Sequence, residues 1–128
     1  MLLNNFYKAQ QISSQSDNEI IAKIILNPEH DIYKGHFPNN PVVPGVISIQ
    51  IVNEILSEHL EKNLMTSSAK SIKFPAMINP NVNPQLFVKI KYTENEDKSY
   101  KVTAQIFFED LIFLKFSGSF SIYLPQKA

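Results

Sequence analysis

Apolar and polar positions change rhythm along this chain, and each rhythm predicts a different element. Residues 20–26 follow Glu19 as Ile-Ile-Ala-Lys-Ile-Ile-Leu, a β-branched run that reads as a strand closed by Asn27-Pro28. Residues 31–45 carry Pro38, Pro41 and Pro44 at a spacing of three. Each proline fixes φ and removes a backbone donor, so the segment reads as a stiff, extended loop. From Val46 to about Leu60 there is no Gly or Pro, and apolar residues fall at 46, 47, 49, 51, 52, 55, 56 and 60. That distribution runs nearly all round a helix, which predicts a buried helix rather than a surface one. Its polar remainder includes Gln50, Asn53, Glu54 and Ser57, which at these spacings share one stripe.

The second half alternates with period two. Leu86, Val88, Ile90 and Tyr92 are interleaved with Lys89 and Lys91, and Val102, Ala104, Ile106 and Phe108 with Lys101, Thr103 and Gln105. Residues 93–99 form a polar hairpin loop between the two strands. In the last segment Ile112, Leu114, Phe116, Gly118, Phe120, Ile122 and Leu124 fall on one parity, which predicts a long strand with one buried face. One apolar helix followed by antiparallel strands implies an α+β fold, a curved sheet wrapped around a buried central helix. A helix without a solvent-compatible face further predicts that a partner chain covers the side left open by the sheet.

Composition narrows the function classes. At 128 residues the chain fits one domain, residues 1–128, with 44% hydrophobic residues to form its core. Lys plus Arg (12) balances Asp plus Glu (12), whereas a nucleic-acid binder carries a basic excess. With no cysteine, disulfides, thiolate metal sites and a cysteine nucleophile are excluded. The longest apolar runs, such as Leu111 to Leu114, are too short to span a bilayer. The N-terminus lacks a basic head followed by an apolar stretch, so no secretory signal is expected and a cytoplasmic protein is.

Chemistry concentrates in Gly35-His36-Phe37-Pro38-Asn39-Asn40-Pro41-Val42-Val43-Pro44-Gly45-Val46. A stiff proline arm can hold an imidazole in place, and Pro44-Gly45 opens the buried helix, whose first amides have no intrahelical acceptor. Those donors and the positive end of the helix dipole would polarise a carbonyl oxygen placed over Gly45. A base and an oxyanion site therefore stand a few residues apart, although a lone loop histidine is more often merely solvated.

This run resembles the active-site signature of the FabZ/FabA-like 3-hydroxyacyl-acyl-carrier-protein dehydratases, of the hot-dog superfamily, without a gap from Gly35 to Val46. Ile72-Lys73-Phe74 followed by Pro80 is similar to a second family motif, with Pro75, Asn81 and Val82 departing from it. The resemblance implies a hydro-lyase that converts 3-hydroxyacyl thioesters to trans-2-enoyl thioesters in fatty-acid or related lipid synthesis. It implies that His36 takes the proton α to the thioester carbonyl, and that the Gly45 amide, with Val46 next in line, holds the carbonyl oxygen. Phe37 and the helix's apolar residues, Val46 among them, would line the acyl tunnel. Acyl carrier protein would deliver the substrate on its phosphopantetheine arm, with no metal or organic cofactor. The site would lie across a homodimer interface, in a dimer or a trimer of dimers.

One departure bears on activity. Fourteen residues after the histidine the family has an acid, and this chain has Gln50; four residues further, where the family has Gln, it has Glu54. A primary amide hydrogen-bonds a leaving hydroxyl but cannot protonate it at neutral pH. On a helix the two positions are neighbours, roughly 6 Å apart. Either Glu54 supplies the carboxyl, or Glu54 is an ordinary interface residue and the site is crippled. Two rivals follow: a hot-dog thioesterase whose carboxylate activates water, and a silent subunit or acyl-binding partner of an active dehydratase. His30 and His59 lack metal-ligand spacing, Ser48 lacks a nucleophile elbow, and Lys70 and Lys73 read as solvated.

Overall fold

The computed structural model describes residues 5–35 and 40–123. Its elements are β1 (Tyr7–Ser16), β2 (Glu19–Leu26), a single helical turn α1 (Ile32–Gly35), the long helix α2 (Gly45–Leu60), and the strands β3 (Leu64–Lys73), β4 (Gln85–Glu94), β5 (Tyr100–Phe108) and β6 (Leu111–Ile122). The strands form one antiparallel sheet in the order β1-β2-β4-β5-β6-β3, and α2 packs against β3, β4 and β6. One sheet around one long helix is the α+β, hot-dog arrangement that the sequence implies.

Alternation builds the core. Ile20 pairs with Ile90, Ile90 with Ala104 and Ala104 with Phe116, so one buried row crosses β2, β4, β5 and β6. A second row runs Ala22, Val88, Ile106 and Leu114. Against these rows the helix sets Ile51, Val52, Ile55 and Leu56, each no more than 1% exposed. Full burial of such side chains contributes about 1.5–3 kcal/mol apiece. The helix ends on Glu61 in the left-handed conformation, where the Lys62 amide donates to the Ser57 carbonyl at 3.0 Å.

The strands β2, β4 and β5 and the helix α2 form where the pattern predicts them, and three features differ. Residues 31–45 are not loop throughout, because His30 starts the turn α1: its Nδ1 accepts from the Ile32 amide at 3.1 Å and its carbonyl from the Tyr33 amide at 3.2 Å. The single parity expected along β6 holds from Leu114 to Phe120 only. Ile106 pairs with Leu114 but Phe107 with Ile112, so Phe113 is bulged out of register and turns into the core. Ile122 lies at the exposed end of the strand, and Leu124 lies outside the described residues.

The two edge strands are additions to the pattern. In β3 only Leu64 is buried, and β1 carries Ser and Gln along most of its length. Both owe their conformation to backbone pairing rather than to an apolar face, and both have register shifts, the bulged, polar character of protected edges. Gly118 lets one edge approach: a Cβ there would meet the backbone of Ser68, with the Phe116 ring at 2.8 Å and the Ala69 Cα at 3.1 Å. Gly118→Ala is therefore expected to loosen β3 from β6 and to cost about 1–3 kcal/mol in urea denaturation. Amide exchange should rise along β3 and not along β2.

Candidate active site

The site grows from the two ends of the helix's polar stripe. At the start, the Pro44 carbonyl accepts from the Ile47 and Ser48 amides at 3.0 and 3.2 Å, and no side chain among the described residues caps the helix. The Gly45 and Val46 amides thus lead the helix without an acceptor in a preceding turn. Val43, just upstream, is buried and donates its amide to the Ile78 carbonyl at 2.9 Å, which pins the end of the proline arm. The Phe74 ring lies over Gly45 so closely that a Cβ on residue 45 would stand 2.6 Å from its Cζ. The Val46 side chain is exposed. His36 and Phe37 lie outside the described residues.

Further along, Gln50, Asn53, Glu54 and Ser57 line one cleft of about 1060 Å³, so the stripe drawn from spacing alone is a physical surface. Glu54 is 6% exposed, which makes its partners decisive, because a buried carboxylate without donors is strongly destabilising. Gln50 donates from Nε2 to Glu54 Oε2 at 3.2 Å, and Tyr7 donates its hydroxyl to Glu54 Oε1 at 3.1 Å. Ser57 donates to Asn53 Oδ1 at 3.1 Å and accepts from the Leu64 amide at 3.2 Å. Lys62 donates to the Tyr100 hydroxyl at 2.8 Å, and Tyr100 to Glu94 at 3.0 Å, which ties the end of α2 to the β4–β5 hairpin.

Tyr7 is the residue that sequence reasoning missed. It opens a strand with no apolar rhythm and stands 47 positions from Glu54. The available signal was the pair Phe6-Tyr7 ahead of a polar stretch, two aromatics that such a stretch does not need. Burial, then the charge of Glu54 and the hydrogen bond to it, hold the Tyr7 phenol far above its ordinary range, so it remains a neutral donor. Tyr33, in α1, is buried with no hydrogen-bond partner for its hydroxyl among the described residues, and burial pushes it up to about 12.

The remaining candidates take structural places. His30 holds the α1 turn and meets the Phe6 ring edge-on at 5.2 Å. His59 is half-buried and packs edge-on against Tyr92 at 6.1 Å. Ser48 is buried, whereas Lys70 and Lys73 are exposed on β3. Chemically, the arrangement offers helix-end amides for a carbonyl oxygen and, beside an open cleft, a carboxyl group held from both sides.

Comparisons with known proteins agree with this architecture. The model of a family described as ApeI-like, the ApeI dehydratases, matches residues 11–109. A 3-hydroxyacyl-[acyl-carrier-protein] dehydratase FabZ of Syntrophobacter fumaroxidans is 22% identical over 113 residues, covering 82% of this chain and 76% of the relative. Among solved structures, the dehydratase heterocomplex ApeI:P from Xenorhabdus doucetiae superposes with a TM-score of 0.71 at 23% identity, over 88% of this chain and 96% of that one. A thioesterase from Staphylococcus aureus superposes with a TM-score of 0.63 at 13% identity, over 94% and 97% of the two chains. These two likenesses speak for the fold.

The two buried phenols make the fold sensitive to alkali. Both keep their protons more tightly in the folded chain than at the ordinary value of 10.0. Their stabilisation is therefore complete below that pH and is lost as pH rises towards the folded-state value, about 12 for Tyr33. Stability in urea is expected to fall across that interval, and to fall less steeply in Tyr33→Phe.

Proposed function

Because the chain belongs to the ApeI-like dehydratase family, we propose that it dehydrates 3-hydroxyacyl thioesters of acyl carrier protein to trans-2-enoyl thioesters, in fatty-acid or related lipid synthesis. The observation that carries the reading is Glu54, buried beside the cleft and bonded to the amide of Gln50 at 3.2 Å. The residues exchanged along the helix form one unit, in which Glu54 is the acid and Gln50 its hydrogen-bonding companion. His36 takes the α proton while the Gly45 amide holds the thioester oxygen as enolate character develops. Protonated Glu54 gives its proton to the β-hydroxyl, the carbon–oxygen bond breaks, the double bond forms and water leaves. His36 and Glu54 return to their starting states by proton exchange with solvent. Phe37 and Val46 border the acyl chain.

Helix geometry argues for a second chain. Glu54 lies nine positions after Gly45, about 13 Å along the axis. The thioester carbonyl carbon and the hydroxyl-bearing carbon of the substrate are only two bonds apart. One protomer's Gly45 therefore works with its partner's acid, and Val46, 71% exposed on a single chain, gains cover in the pair. We take the assembly to be a homodimer or a trimer of dimers of single-domain chains, located in the cytoplasm. Among the described residues no helix is long and apolar enough to cross a membrane.

A second reading has its own observation. Among the described residues two donors converge on Glu54, an arrangement that suits a carboxylate, and a carboxylate beside a helix end could activate water for thioester hydrolysis. Incubation with a 3-hydroxyacyl thioester and its 2-enoyl counterpart separates the readings: interconversion supports the dehydratase, and release of free thiol supports the thioesterase. On the dehydratase reading, His36→Ala abolishes turnover with the fold intact. Glu54→Gln costs at least about 100-fold in rate, and Gln50→Glu brings no gain. A rise in dehydration with Gln50→Glu, beside a neutral Glu54→Gln, would instead mark a weakened or silent subunit. Light scattering showing a stable monomer at micromolar concentration would remove the composite site.

A further inference from the structure

We infer that Tyr7 is a positioning residue for the reaction: its hydroxyl, anchored in the sheet, fixes the carboxyl of Glu54 in the orientation that the bound substrate meets. This inference rests on the role proposed above for Glu54 and adds a residue that the family match, which begins at residue 11, does not include.

The argument starts from how freely a glutamate can turn. Its carboxyl sits at the end of three rotatable bonds, and a general acid misplaced by a fraction of an ångström loses much of its effect. Among the described residues, two donors that reach Glu54 are not equivalent. Gln50 lies four residues back on the same helix, is half-buried beside the cleft and moves with α2. Tyr7 comes from a different element. Its ring is 8% exposed, and its hydroxyl meets the other carboxyl oxygen at 3.1 Å. It therefore references the carboxyl to the sheet rather than to the helix that carries it.

The base of Tyr7 is itself held. Tyr7 pairs with Leu26 across the β1–β2 ladder. The neighbouring Phe6 carbonyl accepts from the Asn27 amide at 2.9 Å, and the Asn27 side chain donates to the Asn5 carbonyl at 2.9 Å. Phe6 is fully buried and packs on His30 and Tyr33, at the root of the segment that leads to His36. Two consecutive residues thus address the two halves of the site, Phe6 the stem of the histidine arm and Tyr7 the acid.

The test is a double-mutant cycle read in kcat and KM with a 3-hydroxyacyl thioester. Tyr7→Phe keeps the ring and removes only the donor; kcat should fall roughly tenfold, the size expected for a hydrogen bond to the carboxylate charge that develops on Glu54 as its proton leaves, with KM changed by less than about twofold. In a Glu54→Gln background the same substitution should change kcat by less than about twofold, because the group it acts through has gone. An equal fold-loss in both backgrounds would reduce Tyr7 to a packing role, and an unchanged kcat in the parent would deny it any role. A neutral Glu54→Gln sinks the acid assignment and this inference together, whereas a damaging Glu54→Gln beside a neutral Tyr7→Phe sinks this inference alone. Should Tyr7→Phe fail to fold, fluorotyrosine at position 7 keeps ring and hydroxyl and alters only donor strength. There a changed kcat supports the role and an unchanged one overturns it.

Discussion

A helix that is apolar on most of its surface can be buried only if the few polar groups it still carries find partners inside the protein, and that constraint organises this fold. Ile51, Val52, Ile55 and Leu56 are covered by inward rows of β2, β4, β5 and β6. The polar stripe faces the remaining side. The sheet's two edges help to satisfy it there. The first residue of β1 reaches Glu54 through a phenol, and the first residue of β3 reaches Ser57 through its amide. Edge strands that bury little of their own side-chain surface are thus tied at their first residues, where a hydrogen bond to the helix joins the burial of Tyr7 and Leu64.

The same constraint places reactive groups where water is scarce. A carboxyl that must be buried for packing reasons needs donors, and donors in fixed positions orient it. On this helix a carboxyl and its amide companion stand one helical turn apart, the pair on which the proposed dehydration rests. The cleft beside them is wide, and a neighbouring protomer would narrow it. In the dimer proposed above, helix-end amides at Gly45 and the carboxyl at Glu54 would share one site.

Legibility in the sequence followed burial. Helix α2 and strands β2, β4 and β5 were evident because their side chains alternate between core and solvent, and β6 was evident except where Phe113 breaks the parity. A bulge leaves no mark in an alternating pattern whose residues are apolar on both sides of the break. Strands β1 and β3 were invisible because main-chain pairing, not side-chain burial, holds them. The turn at Ile32–Gly35 escaped notice because one imidazole nitrogen sets it locally. In the site, the contact between Gln50 and Glu54 could be read from helical spacing. Tyr7 could not, since its partner lies far away in sequence and no local rule connects a strand's first residue to a helix's third turn.

The placement of Tyr7 also ties the cleft to the edge of the sheet. Its hydroxyl holds the Glu54 carboxyl, yet its strand pairs with the rest of the sheet along one side only. Fraying of β1 would therefore reach Glu54 while the inward rows of β2, β4, β5 and β6 stayed packed. A variant with a loosened β1 could keep its fold and its core while the Glu54 carboxyl turned astray, and a stability measurement alone would miss the change.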